Sequence, residues 1–250
     1  MPKIYIGTSG WSYQHWHEGI FYPPDLKKGK ELEYYTKYFK SVELNASFYR
    51  LPQAKTFENW QKRTPKDFVF ALKASRFITH IKKLKGIGEP WELFLQRALL
   101  LKEKLGPILF QLPPSLKFDQ ETLEEFLKII IKKAEKLKAH NLCFALEARH
   151  QTWFSQECFN LLRTYNVAFV YADSGRWPKL EKDTADFFYL RMHGPGGLYA
   201  SDYQEEALKE FAKIIKRFLN KGKDVYCYFN NDYAGYAVRN ALRLKEILGG

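Results

Sequence analysis

The chain has 250 residues, 46% of them hydrophobic and 17% aromatic, with a formal net charge of +12. This length and apolar content exclude a disordered chain and a mini-domain that needs covalent staples, and no apolar run approaches the ~20 residues of a membrane span. The positive balance points to nucleic acid or another polyanion as partner; a helical surface rich in Lys beside Glu is the alternative source of the same charge.

In chain order, short apolar runs alternate with amphipathic ones. The first strand is predicted over IYIG (4–7), followed by a helical pattern in GKELEYYTKYFK (29–40). VELN (42–45) and FVFALK (68–73) read as the second and third strands, with KTFENWQKRT (55–64) helical between them. EPWELFLQRALLLKEKLG (89–106) starts acidic and ends basic, with Gly106 and Pro107 as its stop, and PILFQLP (107–113) is the fourth strand. DQETLEEFLKIIIKKAEKLK (119–138) has Asp119 as its expected N-cap, acids early and lysines late, which complements the helix dipole. CFALEAR (143–149) and AFVYAD (168–173) are the fifth and sixth strands, and SGRWPKLEKDTA after residue 173 holds no helix. FFYLRMHG (187–194) and DVYCYFN (224–230) are the seventh and eighth, separated by the helical SDYQEEALKEFAKIIKRFLNKG (201–222). AGYAVRNALRLKEILGG closes the chain.

Most of these strands are continuously apolar rather than alternating, as in a parallel sheet covered on both faces. Eight strands with helices after nearly all of them predict an α/β fold, a (β/α)8 TIM-type barrel forming one domain over residues 1–250. The rival, an open doubly wound sheet, would carry G-x-G-x-x-G after its first strand, and GTSGW (7–11) has the wrong spacing. Cys143, Cys158 and Cys227 are odd in number and dispersed, which predicts neither disulfides nor a zinc knuckle. With no signal-peptide pattern in MPKIYIGTSGW, a reduced, cytoplasmic setting is expected.

Barrels of this kind carry their sites at the carboxyl ends of the strands. Polar residues collect there: Ser9, Trp11 and Tyr13 after strand one; Glu43 and Asn45, then Phe48, Tyr49 and Arg50, after strand two; Lys73 and Arg76 at strand three; Gln111 at strand four. Strand five supplies Glu147, Arg149 and His150, strand six Asp173, strand seven Arg191 and His193, and strand eight Tyr228, Asn230, Asn231 and Asp232. Residues two apart share a face, so Glu43 with Asn45, Glu147 with Arg149 and Arg191 with His193 should converge. The alternative is a polar plug in which Glu43 or Glu147 pairs with Arg149 or Arg191.

The stretches YIGTSGWSY (5–13), GIFYP (19–23), VELNASFYRLP (42–52), FALKASRFITH (70–80), FQLPPS (110–115), FALEARHQTWF (144–154), DTADFFYLRMHGPGG (183–197) and YFNNDYAGYAVRNAL (228–242) resemble the YecE-like family, proteins of domain of unknown function 72, from end to end. The resemblance implies a TIM-type barrel and leaves the activity open. The chain departs from the family pattern at Ala46, where a hydroxyl is frequent, and at Thr152, where Ser is usual. A likeness to the endonuclease IV and sugar-isomerase barrels holds at the level of fold only.

Three chemistries suit the rim. For a phosphate, Arg191, Lys73 and Arg149 would grip the oxygens, with the Gly196–Gly197 turn offering backbone N–H groups. For a metal, Glu147, His150, His193 and Asp232 are the candidate ligands of one hard cation, Mg²⁺ or Mn²⁺; a multinuclear zinc site is under-supplied, and no organic cofactor is indicated. For acid–base work, Glu43 and Glu147 would form the pair, with His193 and Asp173 assisting. Trp11, Tyr13 and Tyr49 would stack on a base or sugar, while Asn45, Asn230, Asn231 and Gln111 would supply hydrogen bonds. Neither G-x-S-x-G nor a Cys–His arrangement marks a nucleophile. The leading expectation is a phosphodiester-directed hydrolase or binder of nucleic acid. The alternatives are a hydrolase or isomerase of a small sugar or sugar phosphate and a non-catalytic anion binder. The expected partner is thus nucleic acid or a phosphorylated small molecule, with no membrane; the oligomeric state is left open.

Overall fold

The computed structural model describes residues 1–196 and 199–249. Among the described residues nine strands form, all parallel to their neighbours: β1 (Ile4–Thr8), β2 (Ser41–Leu44), β3 (Val69–Lys73), β4 (Leu105–Gln111), β5 (Phe144–Glu147), β6 (Val167–Phe169), β7 (Tyr171–Asp173), β8 (Phe187–Met192) and β9 (Asp224–Phe229). Their order is β1-β9-β8-β7 in one sheet and β2-β3-β4-β5-β6 in the other. β6 and β7 are the two halves of the predicted sixth strand, one bonded to β5 and the other to β8. At the other junction, Tyr35 Oη accepts from Thr8 N at 3.0 Å and donates to Ser41 O at 3.1 Å, stitching β1 to β2. The approach is so close there that a Cβ on Gly7 would lie 2.2 Å from Ser41 O. The result is an α/β fold of the TIM-barrel type, with every strand's carboxyl end on one rim.

Period-two alternation sorts the strand residues into two cores. Ala71, Leu109, Ala145, Ala168, Val170 and Ala172 face inward and meet Phe187, Tyr189, Tyr226 and Tyr228, so small side chains on one wall receive large ones from the other. The intervening Leu72, Phe110, Leu146, Phe188, Leu190 and Phe229 face outward, into the larger cluster shared with the helices. Both faces are therefore dry, which is why the strands read as continuous apolar runs.

The helices are α1 (Glu31–Tyr35), α2 (Ala46–Tyr49), α3 (Ala54–Lys62), α4 (Gly88–Ala98), α5 (Gln120–Lys136), α6 (Gln156–Thr164), α7 (Glu205–Asn220) and α8 (Tyr236–Ile247). α5 begins where expected, Asp119 Oδ1 accepting from Thr122 N at 2.9 Å. Its buried Leu123, Phe126, Leu127, Ile130 and Ala134 form one stripe at helical spacing. No helix follows residue 173, and there Thr184 Oγ1 instead accepts from Phe169 N at 2.7 Å and donates to Val167 O at 2.8 Å, pinning the connection to β6.

Three local expectations change. The helix predicted over 29–40 shrinks to α1. α6 forms between the fifth and sixth predicted strands, capped by Ser155 Oγ on Cys158 N, where no helical pattern had been singled out. Gly106 and Pro107 lie inside β4 rather than ending a helix; the chain turns earlier, at Lys102, whose φ is 54°. The β3–β4 register shifts between Phe70 and Leu72, which accommodates a proline without an N–H, and a Cβ on Gly106 would strike Val69 Cγ1 at 2.5 Å. The cysteines are unpaired, and burial pushes the Cys143 and Cys158 thiols up to about 11 and about 12. No described helix is long and apolar enough to cross a membrane.

Candidate functional site at the carboxyl rim

Tyr189 and Arg191 of β8, and His193 just beyond its end, follow one another at alternate positions and point inward beside Glu43 of β2 and Glu147 of β5. Arg191 is wholly buried. Its Nε and Nη2 bind the two oxygens of Glu43 at 2.9 and 2.7 Å, and its Nη1 binds Glu147 Oε2. Glu43 also accepts from Ser9 Oγ at 2.7 Å and Tyr189 Oη at 2.8 Å. Glu147 Oε1 accepts from Arg149 Nε at 3.0 Å and lies 3.4 Å from His193 Nε2. The Asn230 amide contacts His193 Nδ1 at 3.2 Å, which leaves the ring proton on Nε2, toward Glu147.

Burial opposes the charge of both carboxylates, yet the cations win. Arg191 and Arg149, with a hydrogen bond from His193, hold Glu147 well below the usual carboxylate range, and Arg191 with Ser9 and Tyr189 lowers Glu43. Burial, reinforced by Arg191 and Arg149, lowers His193 and keeps it neutral. Two locked carboxylates and a neutral imidazole are poor proton donors.

Beside this plug opens a cavity of about 520 Å³ lined by Ser9, Tyr13, Asn45, Tyr49, Lys73, Tyr199, Ala200, Asn230, Asp232 and Tyr233. Lys73 ends β3, is 8% exposed, and holds its ammonium 4.0 Å from the Phe48 ring centroid. No anion or hydrogen-bond acceptor contacts its Nζ among the described residues. Burial first, then Arg191 and Arg149, bring its pKa down to about 7, with Glu147 and Glu43 pulling the other way. Asp232 is the second group near neutrality: burial raises it to about 6 against His15 and Trp16, which contact its Oδ2 at 3.0 and 2.9 Å. Its Oδ1 is buried and has no partner among the described residues. Tyr49 and Tyr233 stand 74% and 75% exposed at the mouth.

Several expected site residues do other things. Asp173 falls on the outer face, because Ala168, Val170 and Ala172 take the inward phase; it accepts from Tyr203 Oη at 2.8 Å and pairs with Lys179. Asn231 likewise alternates outward from Asn230, donating at 2.9 Å to Ser201 O and Asn240 Oδ1. Trp11 packs edge-on against Trp60 at 5.6 Å rather than lining the cavity. Gln111 donates to Leu112 O at 2.7 Å. Gly196 N is taken by Ser201 Oγ at 3.0 Å, and Gly197 lies outside the described residues. The four candidate metal ligands do not assemble: His150 turns to Thr152 and Asp232 to His15, leaving Glu147 with His193. Among the described residues no three His, Cys, Asp or Glu side chains gather to hold a metal.

Sequence reasoning passed over Tyr189, Tyr233 and Trp177, whose ring lies 5.2 Å from the Arg149 guanidinium. For Tyr189 the signal was present, since it shares the period-two face of Arg191 and His193. At the departures from the family pattern, Ala46 is exposed while Ser47 Oγ donates to Lys73 O at 2.7 Å, and Thr152 Oγ1 accepts from Phe118 N at 2.8 Å.

The model of the family "Protein of unknown function DUF72" matches residues 5–250. The chain belongs to the DUF72 family. Among curated proteins it is similar to UPF0759 protein YunF of Bacillus subtilis (strain 168), 29% identical over 98% of this chain and 94% of that one. Among solved structures it is similar to the DUF72 family protein TM1631 of Thermotoga maritima MSB8, with 31% identity, a TM-score of 0.84, and coverage of 99% and 100% of the two chains. A further DUF72 structure, EF0366 of Enterococcus faecalis V583, superposes with a TM-score of 0.82 at 20% identity over 99% of this chain and 96% of that one. The fold likeness extends to a xylose isomerase-like TIM barrel/4-hydroxyphenylpyruvate dioxygenase fusion protein, at a TM-score of 0.54 and 14% identity, covering 99% of this chain and 43% of that one.

Proposed function

We propose that this DUF72 chain is an enzyme or binder of a small phosphorylated, polyhydroxylated molecule, of sugar-phosphate size, taken into the rim cavity over Lys73. The observation that carries this reading is a nearly buried lysine without an anionic partner in a cavity of about 520 Å³. Lys73, Arg149 and Arg191 are three cations facing the two carboxylates Glu43 and Glu147, which leaves one positive charge to be neutralised when Lys73 is protonated and Asp232, across the cavity, holds its proton. An incoming anion would supply that charge and raise the lysine's pKa. Asn45, Asn230 and Ser9 offer hydrogen bonds to hydroxyls, and Tyr13, Tyr49 and Tyr199 offer ring faces.

The nucleic-acid reading leans on Arg191 as a backbone clamp, and Arg191 is spent on Glu43 and Glu147. What still favours it is the pair of exposed rings, Tyr49 and Tyr233, which suit a single splayed or flipped nucleotide at the cavity mouth. Calorimetric titration with ribose 5-phosphate, glucose 6-phosphate, inorganic phosphate and a single-stranded DNA oligomer at physiological salt separates the two. The small phosphates should bind, and Lys73→Met should weaken them by about tenfold or more. Tight, steeply salt-dependent DNA binding with no response to sugar phosphates would replace this reading with the nucleic-acid one.

A further inference from the structure

Two lysines are buried among the described residues, and they differ in kind. Lys104 donates to Thr64 O at 2.7 Å, to Thr64 Oγ1 at 3.2 Å and to Gln61 O, so its ammonium is saturated and structural. Lys73 has the burial without the partners. Its backbone is held by Ser47, its Nζ lies against the Phe48 ring, and it lines the rim cavity. A lysine kept dry beside other cations is the usual form of an amine nucleophile.

Resting on the small-phosphate reading above, we propose that Lys73 is an imine-forming residue, whose amine condenses with the carbonyl of a phosphorylated aldehyde or ketone held in the rim cavity. The nitrogen lone pair forms the C–N bond while the carbonyl π pair moves to oxygen, and one proton passes from nitrogen to that oxygen. A second proton, from the Asp232 carboxyl, lets the hydroxyl leave as water while the remaining nitrogen pair closes the C=N bond. The iminium that results returns its N–H proton to the Asp232 carboxylate, so the net change is amine plus carbonyl to imine plus water, with no oxidant or reductant. Asp232 suits this proton traffic because it lines the same cavity and burial raises its pKa to about 6, so that it both gives and takes a proton near neutrality. The charged groups around the amine are Glu43, Glu147, Arg149 and Arg191, already bound to one another, so none of them captures it. With a pKa of about 7, half of Lys73 is neutral at pH 7. That neutral fraction exceeds that of an ordinary lysine by on the order of a thousandfold.

The test is reductive trapping. The wild-type protein is mixed at pH 7 with limiting pyridoxal 5′-phosphate or dihydroxyacetone phosphate and sodium cyanoborohydride, and each lysine's adduct is quantified by peptide mass mapping. Lys73 should carry at least about tenfold more adduct than any other lysine. Lys73→Arg should leave only scattered surface labelling. Adducts spread over exposed lysines, with Lys73 no higher than the rest, would overturn the imine assignment. Sugar-phosphate binding retained in calorimetry would then show that the cavity reading survives without it. Loss of both would remove the two together.

Discussion

Arg191 lies one residue before the end of β8 and Lys73 ends β3; both sit on the inner face, both are nearly inaccessible, and their surroundings are opposite. Arg191 is met by both oxygens of Glu43 and one of Glu147, so its charge is neutralised within the protein. Lys73 is met by an aromatic ring and by the field of two arginines, so its charge is opposed. A buried cation with its partners is a strut, because removing it strands the partners. A buried cation without partners is a held-open position, stabilised only when something else arrives. The same rim thus separates what holds the barrel top together from what is available to a ligand.

Substitution tests this contrast most sharply at Arg191. Arg191→Met leaves Glu43 buried without a cation and Glu147 with Arg149 alone, and should cost about 3–5 kcal/mol in urea denaturation at pH 7. A loss under about 1 kcal/mol would mean that the plug is not a strut. Lys73→Met should move the other way. Because the folded pKa of Lys73, about 7, lies below its unfolded value, the unfolded chain binds more protons between the two, and stability rises with pH across that window. The variant should flatten this rise and gain roughly 1–3 kcal/mol at pH 7. A destabilised variant would point to a partner for the ammonium. The smallest effect is expected at Asp232, whose folded pKa of about 6 lies above its unfolded value. Its ionisation therefore withdraws stability as pH rises from about 4 to about 6, and Asp232→Asn should erase that slope, worth under about 2 kcal/mol. An unchanged slope would place the proton elsewhere.

The sequence made the rim legible because charged residues interrupt strands that are otherwise apolar, and Glu43, Glu147, Arg191 and Lys73 do come together at one end. It could not make the phase of the sixth strand legible. The run AFVYAD is apolar throughout, so nothing in it says that Ala172 points in and Asp173 out. The same one-residue ambiguity misassigned Asn231 next to Asn230, since both are amides and only the backbone alternation separates them. Gly106 and Pro107 read as punctuation because that is their commoner use, and only the β3–β4 register shift turns them into strand residues. Which charges are paired was beyond reach for another reason. Glu43 and Arg191 stand 148 residues apart, and a sequence gives no distance across the ring.

The two sheets also differ in when they can exist. β2 to β6 pair in the order in which they are made, each strand meeting its predecessor. Among the described residues β1 has no ladder partner except β9, so β1 is bonded only after β9 has been made. Until β9 arrives, the edges of β1 stay without a ladder partner. The cavity over Lys73, with walls from the loops after β1 and β9, does not exist until that pairing forms.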